Sequence, residues 1–376
     1  MKKSQETYDT IVIGAGIAGC CVALALQKKG QKVLLIDRSA AAASGGSGAA
    51  GAFVSPKIGM GSELQVLTNE AYSYAKNFYL KYFPNLFNQS GVVRIPKDKD
   101  DSEKFAAYSQ YNTNKYENYN SEQLASHGIC SQESGFYFPE AGVCDAVGLC
   151  AAMMQHVPFL QANVEALKKD VNDWVIAPKG LRAKNIVLAT GYQNEIFEMG
   201  YMGITGTWGS RGDYFSSLPL TVSMHKSLSV SANIEGVIKV GATHVKSKTP
   251  CLECKGDPLE ELFKKASETV DTRDFKLKEV FCGMRSGSKD YFPLAGKIID
   301  VEAMLELHPN LLKGAKPELQ YLENIYVCNG VGGRGFVFSP LMAKWLSEYI
   351  VDKKEIDNRV NPDRLFYKWC RKKNNK

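Results

Sequence analysis

The residues best placed to do chemistry lie at the start of the chain. Gly14-Ala15-Gly16-Ile17-Ala18-Gly19 sets three glycines at GxGxxG spacing. Gly14 permits a tight turn, Gly16 lets backbone approach a pyrophosphate, and Gly19 lets a helix pack closely on a strand. Asp37, followed by Arg38, stands where an acid can accept hydrogen bonds from ribose hydroxyls. The flanking segments supply the elements that must hold these groups. Tyr8–Ile13 (YDTIVI) is short, apolar and β-branched, and reads as a buried parallel strand. Cys20–Lys29 reads as a helix stopped by Gly30, and Lys32–Ile36 as a second buried strand ending at Asp37. The helix N-terminus then offers free N–H groups and a positive dipole end to phosphates. Strand, glycine turn, helix, strand and acid together make a complete dinucleotide fingerprint.

An NAD enzyme usually continues with another helix–strand unit. Here Asp37-Arg38 runs into a loop of small residues, Ala40–Ala52 (AAAASGGSGAAGA). It reads either as a flexible linker or as a close-contact loop lying against a flat ring system, with Ser44 available to a phosphate. A helix is expected over Ser62–Tyr82, and Asp145 is expected to cap a helix running to about His156. Val164–Lys168 and Trp174–Ile176 alternate like a hairpin, and Asn185–Leu188 is a buried strand entering Ala189-Thr190-Gly191. Lys97–Glu122 is polar but rich in tyrosine, which favours a packed helical or loop segment over a disordered insert. Gly236–Val245, Pro258–Asp271 and Leu277–Cys282 read as strand, amphipathic helix and strand of an antiparallel sheet with one ligand-facing side. Asn324–Cys328 is a buried strand and Gly330–Gly335 a glycine-rich turn; Ser339-Pro340 reads as N-cap and first residue of a helix Leu341–Val351. A helix N-terminus aimed this way suits a flavin, whose pyrimidine edge gains negative charge when hydride arrives.

The 376 residues, with 44% hydrophobic and 23% charged, exclude bulk disorder and fibrous structure. The net charge of +6 is compatible with an anionic partner. The apolar run Ile11–Leu26 is interrupted by the glycines and is shorter than the ~20 residues a bilayer needs, so a soluble, cytoplasmic chain is expected. The ten cysteines are scattered, which suggests buried thiols in a reducing compartment. Cys251-x-x-Cys254 has no second pair and the five histidines are dispersed, so no metal is expected.

The order GxGxxG, strand-end acid, ASG-type loop, ATG, GMRxxxxDxxPxxG and GxGGRGxxxSP resembles the D-amino-acid oxidase/glycine oxidase superfamily of FAD enzymes. Ser44-Gly45, Gly51-Ala52, Pro56, Asn69-Glu70-Ala71, Gly241-Ala242, Cys282–Asp290, Pro293 and Asn361–Leu365 are similar to the oxidoreductase domain of bifunctional tRNA 5-methylaminomethyl-2-thiouridine biosynthesis proteins. The resemblance implies an α/β fold: a Rossmann-like FAD-binding domain of glutathione-reductase type with an inserted mixed or antiparallel-sheet substrate domain. The expected division is 1–82, 142–204 and 281–376 for FAD, and 83–141 with 205–280 for substrate. The cofactor-lining residues it implies are Gly14, Ala15, Gly16, Gly19, Asp37, Arg38, Ser44, Gly45, Gly51, Ala52, Val164, Gly191, Gly332, Gly333, Arg334 and Gly335.

The implied chemistry is oxidation of a secondary amine, with oxygen as electron acceptor. In the tRNA version, carboxymethylaminomethyluridine at the wobble position loses its carboxymethyl as glyoxylate. Arg285 and Arg334 fall in motifs beside the expected ring and are the candidates to fix a carboxylate; each could instead be a structural arginine. Counting back from Asp290, a covalent flavin link would fall at Gly283, so FAD is expected to be noncovalent. The tail Arg364–Lys376 interleaves basic and aromatic residues and reads either as an RNA contact or as a frayed terminus. The chain starts a few residues before its first strand, so any methylation is expected of a separate methyltransferase. A free glycine or D-amino-acid oxidase, and a non-catalytic FAD-binding or electron-transfer protein, are the alternatives.

Overall fold

The computed structural model describes residues 7–193, 196–246 and 257–373. Strands Leu181–Leu188, Thr7–Ile13, Val33–Asp37 and Phe159–Gln161 lie side by side and parallel, and Tyr321–Asn329 joins parallel to Leu181–Leu188. Leu294–Ile299 closes that edge antiparallel, and the hairpin of Ala166–Asp170 with Asp173–Ala177 extends the sheet. Parallel strands need both faces covered. Alternate residues go to opposite cores, as the two-residue period of a strand requires. Val12, Leu35 and Val187 join the cluster formed with helices Ile17–Lys28 and Gly335–Ser347. Ile11, Leu34 and Ile186 join the cluster that includes Leu365, Phe366 and Cys370 of helix Asp363–Lys373. The tail is therefore a packed helix up to Lys373, and Arg364 is held by Asp290 at 2.8 Å and by the carbonyls of Asn361 and Phe292.

The second sheet has nine strands. Lys276–Gly287 pairs along its length with Thr205–Phe215; then come Val237–Gly241, Ser229–Val230, Ser223–His225, Val92–Arg94, Gly135–Phe138 and Glu117–Tyr119. Ser223–His225 runs parallel to Val92–Arg94, and the other pairs named are antiparallel. Because Lys276–Gly287 belongs to this sheet throughout, we place the boundary between the two sheets after Gly287 rather than at 281.

The tyrosine-rich stretch is packed: helix Lys99–Tyr108 is capped by Asp98, and Tyr119 stacks on Tyr137 with centroids 4.4 Å apart. Helix Glu63–Tyr82 starts at the Ser62 cap, and Asp145 caps Ala146–Met154 through the Gly148 N–H. The expected strand Gly236–Val245 is split into Val237–Gly241 and Val245–Lys246, and the amphipathic helix spans Asp257–Ser267.

The reading of the cysteines as free thiols needs one correction: Cys282 is disulfide-bonded. Cys20, Cys21, Cys144, Cys150, Cys328 and Cys370 are free and buried, and Cys130 is free and exposed. Cys251-x-x-Cys254 lies outside the described residues. Among those residues, no helix is long and apolar enough to cross a membrane.

Candidate active site

The turn after Thr7–Ile13 is shaped by missing side chains. Gly14 has φ +110°, and a Cβ on it would lie 2.4 Å from the Ala189 carbonyl oxygen. A Cβ on Gly19 would lie 1.8 Å from the Gly14 carbonyl oxygen, so helix Ile17–Lys28 approaches the strand only because position 19 is bare. Asp37 braces the turn from the neighbouring strand: Oδ2 accepts from the Ala15 N–H at 2.7 Å and Oδ1 from the Ser39 N–H at 2.8 Å. Each oxygen retains lone-pair capacity for a hydroxyl.

The small-residue loop is packed rather than a linker. A Cβ on Gly46 would meet the Met284 carbonyl oxygen at 2.4 Å, and one on Gly283 would meet Ala49 Cβ at 2.7 Å. Ser47, which the sequence did not single out, is the serine at the helix start; its Oγ accepts from the Ile17 N–H at 3.0 Å. Ser44 sits exposed at the cavity rim.

A cavity of about 910 Å³ lies between the two large sheets. Gly14, Gly16, Asp37, Arg38, Ser44, Gly45, Gly51, Ala52, Val164, Gly191, Arg285, Gly332, Gly333, Arg334 and Gly335 line it. Ala15 and Gly19 stand behind that wall. Bare glycine backbone, a helix N-terminus and a strand-end carboxylate fit the phosphates and ribose of FAD.

The helix after the second glycine turn begins earlier than expected. It spans Gly335–Ser347, followed by a π turn over Glu348–Asp352, so Ser339 and Pro340 are inside it rather than at its cap. Proline has no N–H for the carbonyl four residues back. The Phe336 carbonyl is satisfied instead by the buried Tyr79 hydroxyl, which donates at 2.7 Å.

The arginines divide by their partners. Arg211 is matched by Asp213 at 2.7 Å, and Arg364 by Asp290. Among the described residues Arg285 donates to the Thr243 carbonyl alone, at 3.0 Å, and its guanidinium lies over Gly209. Burial pushes its pKa down. Arg334 donates to the Ser55 carbonyl at 3.1 Å; burial, then the charge of Arg94, push it down to about 10. His225, Arg94 and Lys57 also line the cavity and were not legible as site residues. His225 Nε2 lies 3.2 Å from Ser55 Oγ and Nδ1 lies 2.6 Å from Ser229 Oγ; burial, then Arg94 and Arg334, push it down to about 3, so the ring is neutral.

The family model described as FAD dependent oxidoreductase (DAO) matches residues 9–349. The chain is 24% identical to the tRNA 5-methylaminomethyl-2-thiouridine biosynthesis bifunctional protein MnmC of Shewanella amazonensis, over 99% of this chain and 61% of that protein. The MnmC of Legionella pneumophila is also 24% identical, over 97% of this chain and 58% of that protein. The chain thus spans about three-fifths of the length of these curated relatives. Among solved structures, glycine oxidase from Bacillus cereus superposes with TM-score 0.76 at 17% identity, covering 93% of this chain and 96% of that one. Iminodiacetate oxidase from Chelativorans sp. BNC1 gives TM-score 0.73 at 15% identity, covering 94% and 99%. The match over most of the chain agrees with the glycine cradle, the Asp37 brace and the cavity between the sheets: the chain belongs to the DAO family of FAD-dependent oxidoreductases.

Proposed function

We propose that this oxidoreductase acts on a secondary amine carrying a carboxylate, and that the amine is the carboxymethylaminomethyl group of a tRNA wobble uridine. The observation that carries the proposal is Arg285, a partly buried cation in the cavity wall that has no carboxylate partner among the described residues. A planar guanidinium so placed holds a substrate carboxylate by two parallel hydrogen bonds. The wobble assignment draws on the relatives named for tRNA 5-methylaminomethyl-2-thiouridine biosynthesis.

Bound noncovalently at the glycine cradle, FAD supplies the hydride acceptor, and oxygen then takes up the electrons. The chain's own part is to bind and orient. Arg285 fixes the carboxylate, and with it the adjacent methylene. With Arg285 paired to the carboxylate, the positive charge of Arg334 lowers the proton affinity of a nearby amine, so it reacts with its lone pair free. Loss of hydride from the methylene then leaves a C=N bond between that carbon and nitrogen. Water adds there, releasing glyoxylate and the aminomethyl uridine. A neutral His225 holds two serine hydroxyls without adding a further positive charge.

The test is incubation of the holoenzyme with tRNA carrying carboxymethylaminomethyluridine, followed by nucleoside mass spectrometry and a glyoxylate assay. Conversion to the aminomethyl nucleoside with matching glyoxylate is expected. An unchanged nucleoside together with turnover of free glycine would establish a free amino-acid oxidase instead.

A further inference from the structure

Arg285 accounts for one anion, but other cationic residues line the same cavity, and three of them, Lys57, Arg94 and Arg334, gather around Ser55 and His225. Their placement is built rather than incidental. Arg94 and His225 are register partners on adjacent parallel strands. His225 reaches Ser55 Oγ at 3.2 Å, and Arg334 donates to the Ser55 carbonyl at 3.1 Å. Lys57 follows two residues later, its N–H donated to Asn69 Oδ1 at 2.8 Å. Arg94 is further fixed by donating to the Lys226 carbonyl at 2.9 Å.

The acid that faces this group is Asp101, 3.5 Å from Arg94. That carboxylate also accepts from the Lys97 N–H at 3.1 Å and the Tyr108 hydroxyl at 3.3 Å. Burial, Arg334 and Arg94 together push the pKa of Lys57 down. Among the described residues Asp101 pairs with Arg94, and Lys57 and Arg334 form no ion pair, which leaves positive charge that costs stability unless an anion arrives to match it.

Arg285 and Arg94 occupy distant strands of the second sheet. The strand of Arg285 is followed by Thr205–Phe215, Val237–Gly241, Ser229–Val230 and Ser223–His225 before that of Arg94. Five strand steps amount to about 24 Å of sheet between the two backbones. Even with both side chains reaching inward, a ligand that meets both cations is longer than glycine.

We infer that the substrate carries a second anionic group, held by Lys57 and Arg94 while Arg285 holds the carboxylate beside the reacting carbon. The inference rests on the amine-oxidase reading above and narrows its substrate to a dianion. The second anion is a phosphate of a nucleotide or a second carboxylate; the separation of the two cationic centres favours the phosphate.

The test uses holoenzyme and unreactive ligands, read by perturbation of the flavin absorbance. Uridine 5′-monophosphate is compared with uridine, and thiodiacetate with methylthioacetate. Wild type should bind the nucleotide at least tenfold more tightly than the nucleoside. Lys57→Gln and Arg94→Gln should each remove most of that preference and leave uridine binding unchanged; Arg94→Gln also strands the buried Asp101 and should melt lower, and Arg94→Lys should restore part of both. A preference only for thiodiacetate, lost in the same variants, would identify the second anion as a carboxylate. Equal binding within both pairs by wild type, or variants that weaken every ligand alike, would overturn the inference. Nucleotide preference without conversion of the wobble nucleoside would keep it and sink the tRNA assignment.

Discussion

Replacing Arg285 by methionine should separate activity from stability. The substitution keeps most of the side-chain length but removes the charge and every donor. If the guanidinium holds a carboxylate by two charge-assisted hydrogen bonds at about 1.5–3 kcal/mol each, the loss is roughly 3–6 kcal/mol. At about 1.4 kcal/mol per tenfold, kcat/KM should fall by roughly 10²–10⁴-fold. The folded state should respond differently. Burial already pushes the Arg285 pKa down, and the protein group lost as a partner is the Thr243 carbonyl. That lost bond costs about 1 kcal/mol, which is offset by removal of a partly buried charge. The melting temperature should therefore stay within about 2–4 °C of wild type. Arg211→Met is the control: it strands the buried Asp213, a loss of about 3–5 kcal/mol, and should melt clearly lower. Steady-state kinetics and flavin-fluorescence melting measure both quantities. If Arg285→Met loses FAD or stability in proportion to activity, Arg285 is structural and the carboxylate clamp is refuted.

Asp37→Asn removes the charge from the acceptor of the Ala15 and Ser39 N–H groups. At about 1.5–3 kcal/mol it should weaken FAD binding roughly 10–150-fold, measured by flavin-fluorescence titration of apoprotein. His225 is neutral in the fold, pushed down to about 3 from 6.5. Between those values the unfolded chain takes up a proton that the fold refuses, so stability is lost as pH falls from about 6.5 toward 3, by up to ~1.4 kcal/mol per pH unit. Urea midpoints for His225→Gln should show a shallower decline from pH 7 to pH 5. The exposed Lys368, Arg371, Lys372 and Lys373 lie on the tail helix. Changing them to alanine should weaken tRNA binding and flatten its salt dependence by about 0.7–0.9 per lost phosphate contact, while turnover of a mononucleotide holds.

Local constraints were the legible ones. The glycines at 14 and 19 must be bare because backbone carbonyls stand 2.4 and 1.8 Å from where a Cβ would be, and such a demand shows directly as residue type and spacing. The hairpin around 171–172 and the Ser62 and Asp145 caps were readable for the same reason. Where a distant group supplies the missing piece, local rules mislead. Pro340 reads as the first residue of a helix, but Tyr79 satisfies the Phe336 carbonyl that proline abandons, 257 residues further along the chain, and lets the helix begin at Gly335. In the small-residue loop neither serine has a distinguishing neighbour, so only the fold selects Ser47 over Ser44 as the partner of the Ile17 N–H.

The two halves of the cavity differ in legibility because they differ in what does the binding. In the proposed site the groups that would face the nucleotide are backbone N–H groups and bare Cα atoms of consecutive residues, so one short motif encodes the geometry. On the substrate side they are side chains delivered singly: Lys57 after a two-residue strand, Arg94 and His225 from neighbouring strands, Arg285 from the far end of the same sheet, and Arg334 from the glycine turn. No spacing rule connects positions 57, 94, 225 and 285, because sheet register joins the middle two and the curvature of the cavity joins the rest. Arg285 and Arg334 were reachable only because each sits inside a backbone motif. Lys57 and Arg94 sit in none, and what marks them is a physical imbalance: clustered, partly buried cations of which Arg94 alone is paired with a carboxylate among the described residues. A glycine cradle holds FAD whatever the substrate, so in this fold the substrate is distinguished by the cations left without a carboxylate among the described residues.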